Sequence, residues 1–235
     1  MPNSWFTFKK FTVHHDLCAH KVGTDGVLLG AWAHHQKPQS ILDIGSGSCL
    51  ISLMLAQRFP LAHITSVEIH LESFTQGKQN INQSPFSHSI SSLHGDFLQL
   101  DLKQQFDLIV SNPPFFKGVY SSGKQERDQA RHEHALPHEE MLKKAAALLK
   151  PGGHIALVLP TEEADLLIAQ SSTLNLYLKE ELVVLGHPSA EAKRKLILFS
   201  NNLTSCTSKK LVLRNESNQW SEDYKALTRD FYLNI

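Results

Sequence analysis

The chain lacks the residues and patterns on which several function classes depend. Its three cysteines, Cys18, Cys49 and Cys206, are odd in number and far apart in 235 residues. That excludes a disulfide framework and fits reduced thiols in a cytoplasm. Neither an HExxH helix nor a paired CxxC occurs. Fourteen histidines fall singly or in doublets, and His132-Glu133-His134 is the nearest approach to a metal-ligand spacing. Solvated loop histidines are therefore expected, and no metal. No apolar run is long enough to span a bilayer, and MPNSWFTFKKF has no signal-peptide core, so no membrane partner is expected. Basic and acidic residues balance at 23 each, which excludes a strongly polycationic nucleic-acid binder and leaves room for a local basic patch.

What is present is alternation. Apolar runs of strand length lie at 40–45, 63–69, 89–95, 106–112, 154–160, 178–186 and 195–201, with helical patterns between them at 49–59, 71–82, 137–150 and 161–172. Pro137 suits a first helical turn, and Pro151-Gly152-Gly153 suits a stop. The order implies an α/β fold: a doubly wound, mostly parallel seven-stranded sheet with helices on both faces. FDLIV at 106–110 is continuously apolar, as a central parallel strand should be. The last two runs have no helix between them, so the last strand should be antiparallel. Residues 21–235 read as a single domain behind a basic and aromatic segment, 1–20. In such folds ligands gather at the carboxyl ends of the strands.

Those ends carry the chemistry. LDIGSGSCL at 42–50 puts Asp43, Gly45 and Gly47 between the first strand and its helix, where backbone N–H groups face a ligand. A dinucleotide fingerprint wants a third glycine, yet position 50 is leucine. Glu68 ends the next strand about 20 residues on, where a carboxylate accepts both hydroxyls of a ribose, whether of NAD, FAD or S-adenosylmethionine. Asp96 and Phe97 follow the third strand and suit an adenine amino group and ring face; Asp96 suits a turn cap equally well. The fourth strand ends in NPPFF at 112–116. Prolines cannot extend a ladder, so Pro113 and Pro114 make a stiff turn that displays Asn112 and Phe115. The Asn112 side-chain carbonyl and the Pro113 backbone carbonyl can hold both N–H groups of a base amine, and Phe115 can stack on the base. Held so, the amine turns its lone pair toward a methyl sulfonium, and alignment replaces a strong base.

In DIGSG, Glu68, Asp96 and NPPF the sequence resembles the class I S-adenosylmethionine-dependent N-methyltransferases. AHKVGTDGVLLGAWA at 19–33 and the closing TRDFYLNI look like the bacterial tRNA1(Val) adenine-N6-methyltransferases. The resemblance implies methyl transfer to N6 of adenine 37 of tRNA1(Val), with S-adenosylmethionine as cofactor and S-adenosylhomocysteine as product. It implies Thr24 and Asp25 as cofactor-pocket residues; read from the chain alone, either one caps the helix. Tyrosine often follows the prolines in that family. Phe115 is a form also usual in guanine-N2 rRNA methyltransferases, which keeps that target open. Glutamine-N5 methylation of a protein uses the same asparagine–proline geometry. That family usually carries a helical N-terminal domain, for which about 20 residues before Lys21 leave little room.

An RNA substrate needs positive charge. Lys9, Lys10, Arg131, Lys193, Arg194 and Lys195 are the candidates, with Lys209, Lys210 and Arg214 further on; gathered on the NPPF rim they would form an electrostatic footprint. Each cluster also reads as a solvated face, and Arg131 as a loop arginine paired with Glu126 or Glu133. Phe6, Phe8 and Phe11, among the N-terminal lysines, stack on bases or staple the segment to the domain. Nothing in the sequence calls for an obligate protein partner.

Overall fold

A computed structural model describes residues 3–18, 21–114 and 138–235. Along the chain run β1 (Trp5–Thr7), β2 (Thr12–His14), α1 (Thr24–Trp32), β3 (Ser40–Ile44), α2 (Leu50–Arg58), β4 (His63–Glu68), α3 (Leu71–Gln83), β5 (Ile90–His94) and β6 (Phe106–Ser111). After them come α4 (138–147), β7 (Leu149–Pro160), α5 (Thr161–Ser171), β8 (Tyr177–Leu185), β9 (Arg194–Ser200), β10 (Thr207–Val212) and α6 (Glu222–Thr228).

The main sheet has the order β10-β8-β9-β7-β6-β3-β4-β5. All pairings are parallel except those of β9 with β7 and β8. The chain therefore leaves the centre in both directions from the β3–β6 pair, the switch point where such sheets bind ligands. Side chains alternate between two cores, as strand geometry requires. Ile41, Leu108, Val110, Ala156 and Val158 face α1, α2 and α6, whereas Leu42, Ile44, Ile109, Ile155 and Leu157 face α4 and α5.

Two expectations change. The helix over 137–150 gives way at Leu149 to β7, which runs through Pro151-Gly152-Gly153. Gly152 takes φ +77°, and Asn201 holds the kink by accepting from the Gly152 N–H (2.8 Å) and donating to the Lys150 carbonyl (2.8 Å). The Pro-Gly-Gly signal thus marks an irregularity within a strand, which glycine accommodates. Among the described residues the sheet also has eight strands: β10 adds itself in parallel to β8 beyond the antiparallel β9. Its Lys209 and Lys210 are exposed on that edge, where charge discourages further pairing.

The N-terminal segment belongs to this core. β1 and β2 form a hairpin, and Phe8, Phe11 and Val13 are buried in the α1–α2 face. Phe6 packs at a tilt against Phe8 and edge-on against Tyr232 (centroids 4.7 and 5.7 Å). The three phenylalanines act as a staple.

Candidate active site

Asp43, at the end of β3, is fully buried. Its Oδ2 accepts from the Ser52 N–H and hydroxyl (3.1 and 2.6 Å), while Oδ1 has no partner among the described residues. Burial pushes the carboxyl up to about 7. A folded-state value above the ordinary carboxylate range means that the folded protein holds this proton more tightly than the unfolded chain. Asp43 therefore takes stability away as pH rises from about 4 to about 7. Denaturant titrations at pH 5 and 7.5 should show a smaller loss of stability over that interval in Asp43→Asn than in the wild type; an identical pH dependence counts against it.

Beyond Asp43 the chain turns through Gly45 (φ +70°) and Gly47 (φ +53°), left-handed conformations that favour glycine. A Cβ at either would meet nothing within 4 Å, so both border open space. The turn is pinned to β4: Gly45 and Ser46 donate N–H groups to the Val67 carbonyl (2.9 and 3.0 Å), and Gly47 donates to Glu68 Oε2 (2.7 Å). Glu68 Oε1 accepts from the His70 N–H (2.8 Å). Each oxygen thus holds one backbone donor and keeps acceptor capacity for a hydroxyl.

After β5, Asp96 Oδ1 accepts from the Leu98 N–H (2.9 Å). The turn cap is made, and the second oxygen remains. Phe97 points inward, buried beside Ile44 and Val67, with the Lys144 ammonium 5.1 Å from its ring centroid. Lys144 also donates to the Leu98 and Leu100 carbonyls (3.0 and 2.6 Å), so it fixes this loop from below.

β6 delivers Asn112 beside the glycine loop. Ser111 pairs in register with Ile44, and its hydroxyl donates to the Ile44 carbonyl (2.8 Å). Asn112 is half-buried, Pro113 buried and Pro114 exposed. The first turn of α1 closes on the same place: a Cβ at Gly26 would stand 3.1 Å from Leu50 Cδ2 and 3.9 Å from Asn112 Nδ2. The cap expected of Thr24 or Asp25 is not made; the N-cap is Gly23, with no side-chain hydrogen bond. Asp25 instead accepts from Arg194 Nε (2.9 Å). Thr24, Asp25, His187, Lys193 and Arg194 line a cavity of about 400 Å³ on this edge of the sheet. Phe115 and Arg131 lie outside the described residues, as do His132 and His134.

The basic candidates separate. Lys193 is exposed on the active-site edge, and Arg194 pairs with Asp25. Lys195 is held between Asp165 (2.5 Å) and Glu181 (3.3 Å). Lys9 donates its ammonium to the Arg229 carbonyl (2.6 Å) and its N–H to the Phe231 carbonyl (2.7 Å), and Gln57 in the last turn of α2 donates to the neighbouring Asp230 carbonyl (2.8 Å). Lys9 and the adjacent, exposed Lys10 thus lie toward the end of α2 remote from the glycine loop. Among the described residues no group of three or more His, Cys, Asp and Glu side chains could hold a metal ion, and no helix is long and apolar enough to cross a membrane.

A glycine turn and an Asn-Pro-Pro turn thus stand side by side at the carboxyl ends of adjacent strands. Residues 20–165 match the methyltransferase small domain family. A Bacteroides thetaiotaomicron protein named tRNA1(Val) (adenine(37)-N6)-methyltransferase is 45% identical to the chain, over 100% of both proteins. The chain belongs to this family. A second relative of that name, from Flavobacterium psychrophilum, is 39% identical over 98% of the chain and 100% of its own length. Among solved structures, a predicted O-methyltransferase from Agrobacterium tumefaciens superposes with a TM-score of 0.69 at 18% identity, covering 90% of this chain and all of its own; at that identity the likeness is one of fold.

The sequence alone gave no sign of several residues that support these loops. Ser52 holds Asp43, Ser111 fastens the end of β6 to β3, and Lys144 holds the Asp96 loop. Gly26 admits α1. The inward face of α3, with Ser73, Gln76, Gly77 and Asn80 buried, carried a signal: polar and small residues recur at helical spacing where an apolar stripe is usual.

Proposed function

We propose that this chain transfers a methyl group from S-adenosylmethionine to the exocyclic N6 of adenine 37 in tRNA1(Val), acting in the cytoplasm without a metal or an obligate protein partner. One observation supports it above the others: Asn112, whose side-chain carbonyl can accept from an amine, stands one residue past a strand pairing that leads, on the neighbouring strand, into the glycine turn. The cleft suits the cofactor. Open space borders Gly45 and Gly47, the Glu68 carboxylate is oriented for ribose hydroxyls, the second Asp96 oxygen suits an adenine amine, and buried Asp43 Oδ1 suits a cationic ammonium or its water. When bound, S-adenosylmethionine supplies an electrophilic methyl group on a sulfonium.

The chain's own part is positioning. Asn112 and the Pro113 carbonyl accept the two amine N–H groups and so turn the nitrogen lone pair out of conjugation with the ring. The prolines, lacking N–H groups, hold those acceptors without competing donors. Burial around Pro113 and α1 limits water, and the product's proton leaves to solvent. Thr24 and Asp25 close the pocket from α1, with Asp25 held by Arg194.

Nucleoside mass analysis of tRNA1(Val) from a deletion strain, with and without complementation, tests the function. N6-methyladenosine at position 37 should vanish and return. Loss instead of an N2-methylguanosine in rRNA, or of a methylated glutamine in a protein, would reassign the substrate.

Glu68→Ala should weaken S-adenosylmethionine binding by about 1–3 kcal/mol in calorimetry, through loss of a charge-assisted acceptor. Equal affinities would remove Glu68 from the pocket. Lys193→Ala should weaken tRNA binding and reduce its salt slope by about one unit, whereas Lys195→Ala should leave the slope unchanged because Asp165 and Glu181 already neutralise it. The reverse pattern would move the RNA path elsewhere.

A further inference from the structure

Asn80 lies on α3 and is fully buried. Its Oδ1 accepts from the His14 N–H (2.9 Å), and its Nδ2 donates to the His14 carbonyl (2.8 Å) and to the Ser48 carbonyl (2.9 Å). One amide thus ties the end of β2 to the glycine loop, across sequence separations of 66 and 32 residues. One turn earlier, Gln76 Oε1 accepts from the Leu17 N–H (3.1 Å). Between them α3 comes very close: a Cβ at Gly77 would stand 2.6 Å from Cys49 Sγ and 2.8 Å from the Gly47 carbonyl. The segment His14–Cys18 is therefore strapped along α3 toward Ser73 and Glu68, whose electrostatic influence reaches the Cys18 thiol.

We infer that Asn80 is a positioning residue for cofactor binding, setting the glycine loop and the strap of residues 14–18 against each other as two walls of one cleft. The inference rests on reading that cleft as the cofactor site. Two features separate this role from plain core packing. The amide spends all its observed hydrogen bonds on backbone groups of the loop and the strap, so its loss moves backbone that borders the cleft. A leucine would fill the same volume yet leave three buried backbone groups unpaired.

Asn80→Asp keeps an acceptor for the His14 N–H but turns a carboxylate oxygen on two carbonyls. It should raise the dissociation constants of S-adenosylmethionine and S-adenosylhomocysteine about 10- to 100-fold, as expected for buried groups left unpaired. The single-turnover rate on unmodified tRNA at saturating cofactor should stay within about threefold, because Asn112 is untouched. Maleimide labelling read by peptide mass spectrometry locates the change. Cys18, half-buried, should label about tenfold faster relative to exposed Cys206 once the strap detaches, while buried Cys49 stays protected as it does until global unfolding. If Asn80→Asp does not fold, Gln76→Leu, which frees only the Leu17 N–H, should shift both readouts in the same direction by less. Wild-type cofactor affinity in a folded variant, or a raised dissociation constant accompanied by equal exposure of Cys49, overturns the proposal. A wild-type protein that binds no S-adenosylmethionine overturns the reading of the cleft itself.

Discussion

Asn112→Ala slows methyl transfer by about 10²–10³, the usual cost of losing one preorganised hydrogen-bonding group, and leaves S-adenosylmethionine affinity nearly unchanged. Pro113 still offers its carbonyl, the glycine turn is still pinned to Val67 and Glu68, and Ser111 still fastens β6 to β3. Only the second acceptor for the amine is gone. Asn112→Asp divides the role further, because it keeps an acceptor oxygen and loses the amide donor; partial activity shows that acceptance is what counts. Single-turnover transfer of labelled methyl to unmodified tRNA separates chemistry from product release. Near-wild-type rates in Asn112→Ala would reduce VSNPPF to a stiff turn.

Phe8→Ala should destabilise the fold by about 3–5 kcal/mol, the range for deleting a buried aromatic ring. Phe8 is 2% exposed and packs against Phe11 at 4.9 Å and Tyr232 at 5.8 Å between centroids, in the core that α1, α2 and α6 share. Removing residues 1–15 takes away Phe8, Phe11 and Val13 together. Such a chain should fail to fold rather than lose RNA binding alone. A urea titration of Phe8→Ala is the measurement, and a loss below about 1 kcal/mol would make the hairpin an appendage rather than part of the core.

The sequence showed most clearly those parts whose physics is local. A strand end followed by Gly-Ser-Gly or Asn-Pro-Pro announces itself, because left-handed backbone and missing donors are properties of single residues. Strand–helix alternation likewise located β3 to β9 closely. What stayed hidden depends on distant partners. The run Lys193-Arg194-Lys195 reads as one basic patch until Asp25, Asp165 and Glu181 arrive from three other elements and take two of its charges. Pro151-Gly152-Gly153 reads as a stop until Asn201 anchors it inside β7. The N-terminal phenylalanines left two readings open, and burial against α1 and α2, with Tyr232 from the other end of the chain, decides for the staple. The polar inward face of α3 was visible as a pattern, yet its meaning needed His14 and Ser48 beside it.

The pairing of Ile44 with Ser111 has a consequence for how the enzyme tolerates change. The next residue on one strand opens the glycine turn, and the next on the other is Asn112. Neighbouring strands stand about 4.8 Å apart whatever their sequence, so the gap between the glycine turn and Asn112 is set by a ruler of backbone hydrogen bonds. Loops elsewhere can lengthen, and rim charges can drift over evolution, without resetting that ruler. A one-residue slip between β3 and β6 would displace it by a whole step and turn Asn112 to the opposite face. The rim is therefore free to vary while the spacing between the glycine turn and Asn112 stays fixed at the centre of the sheet.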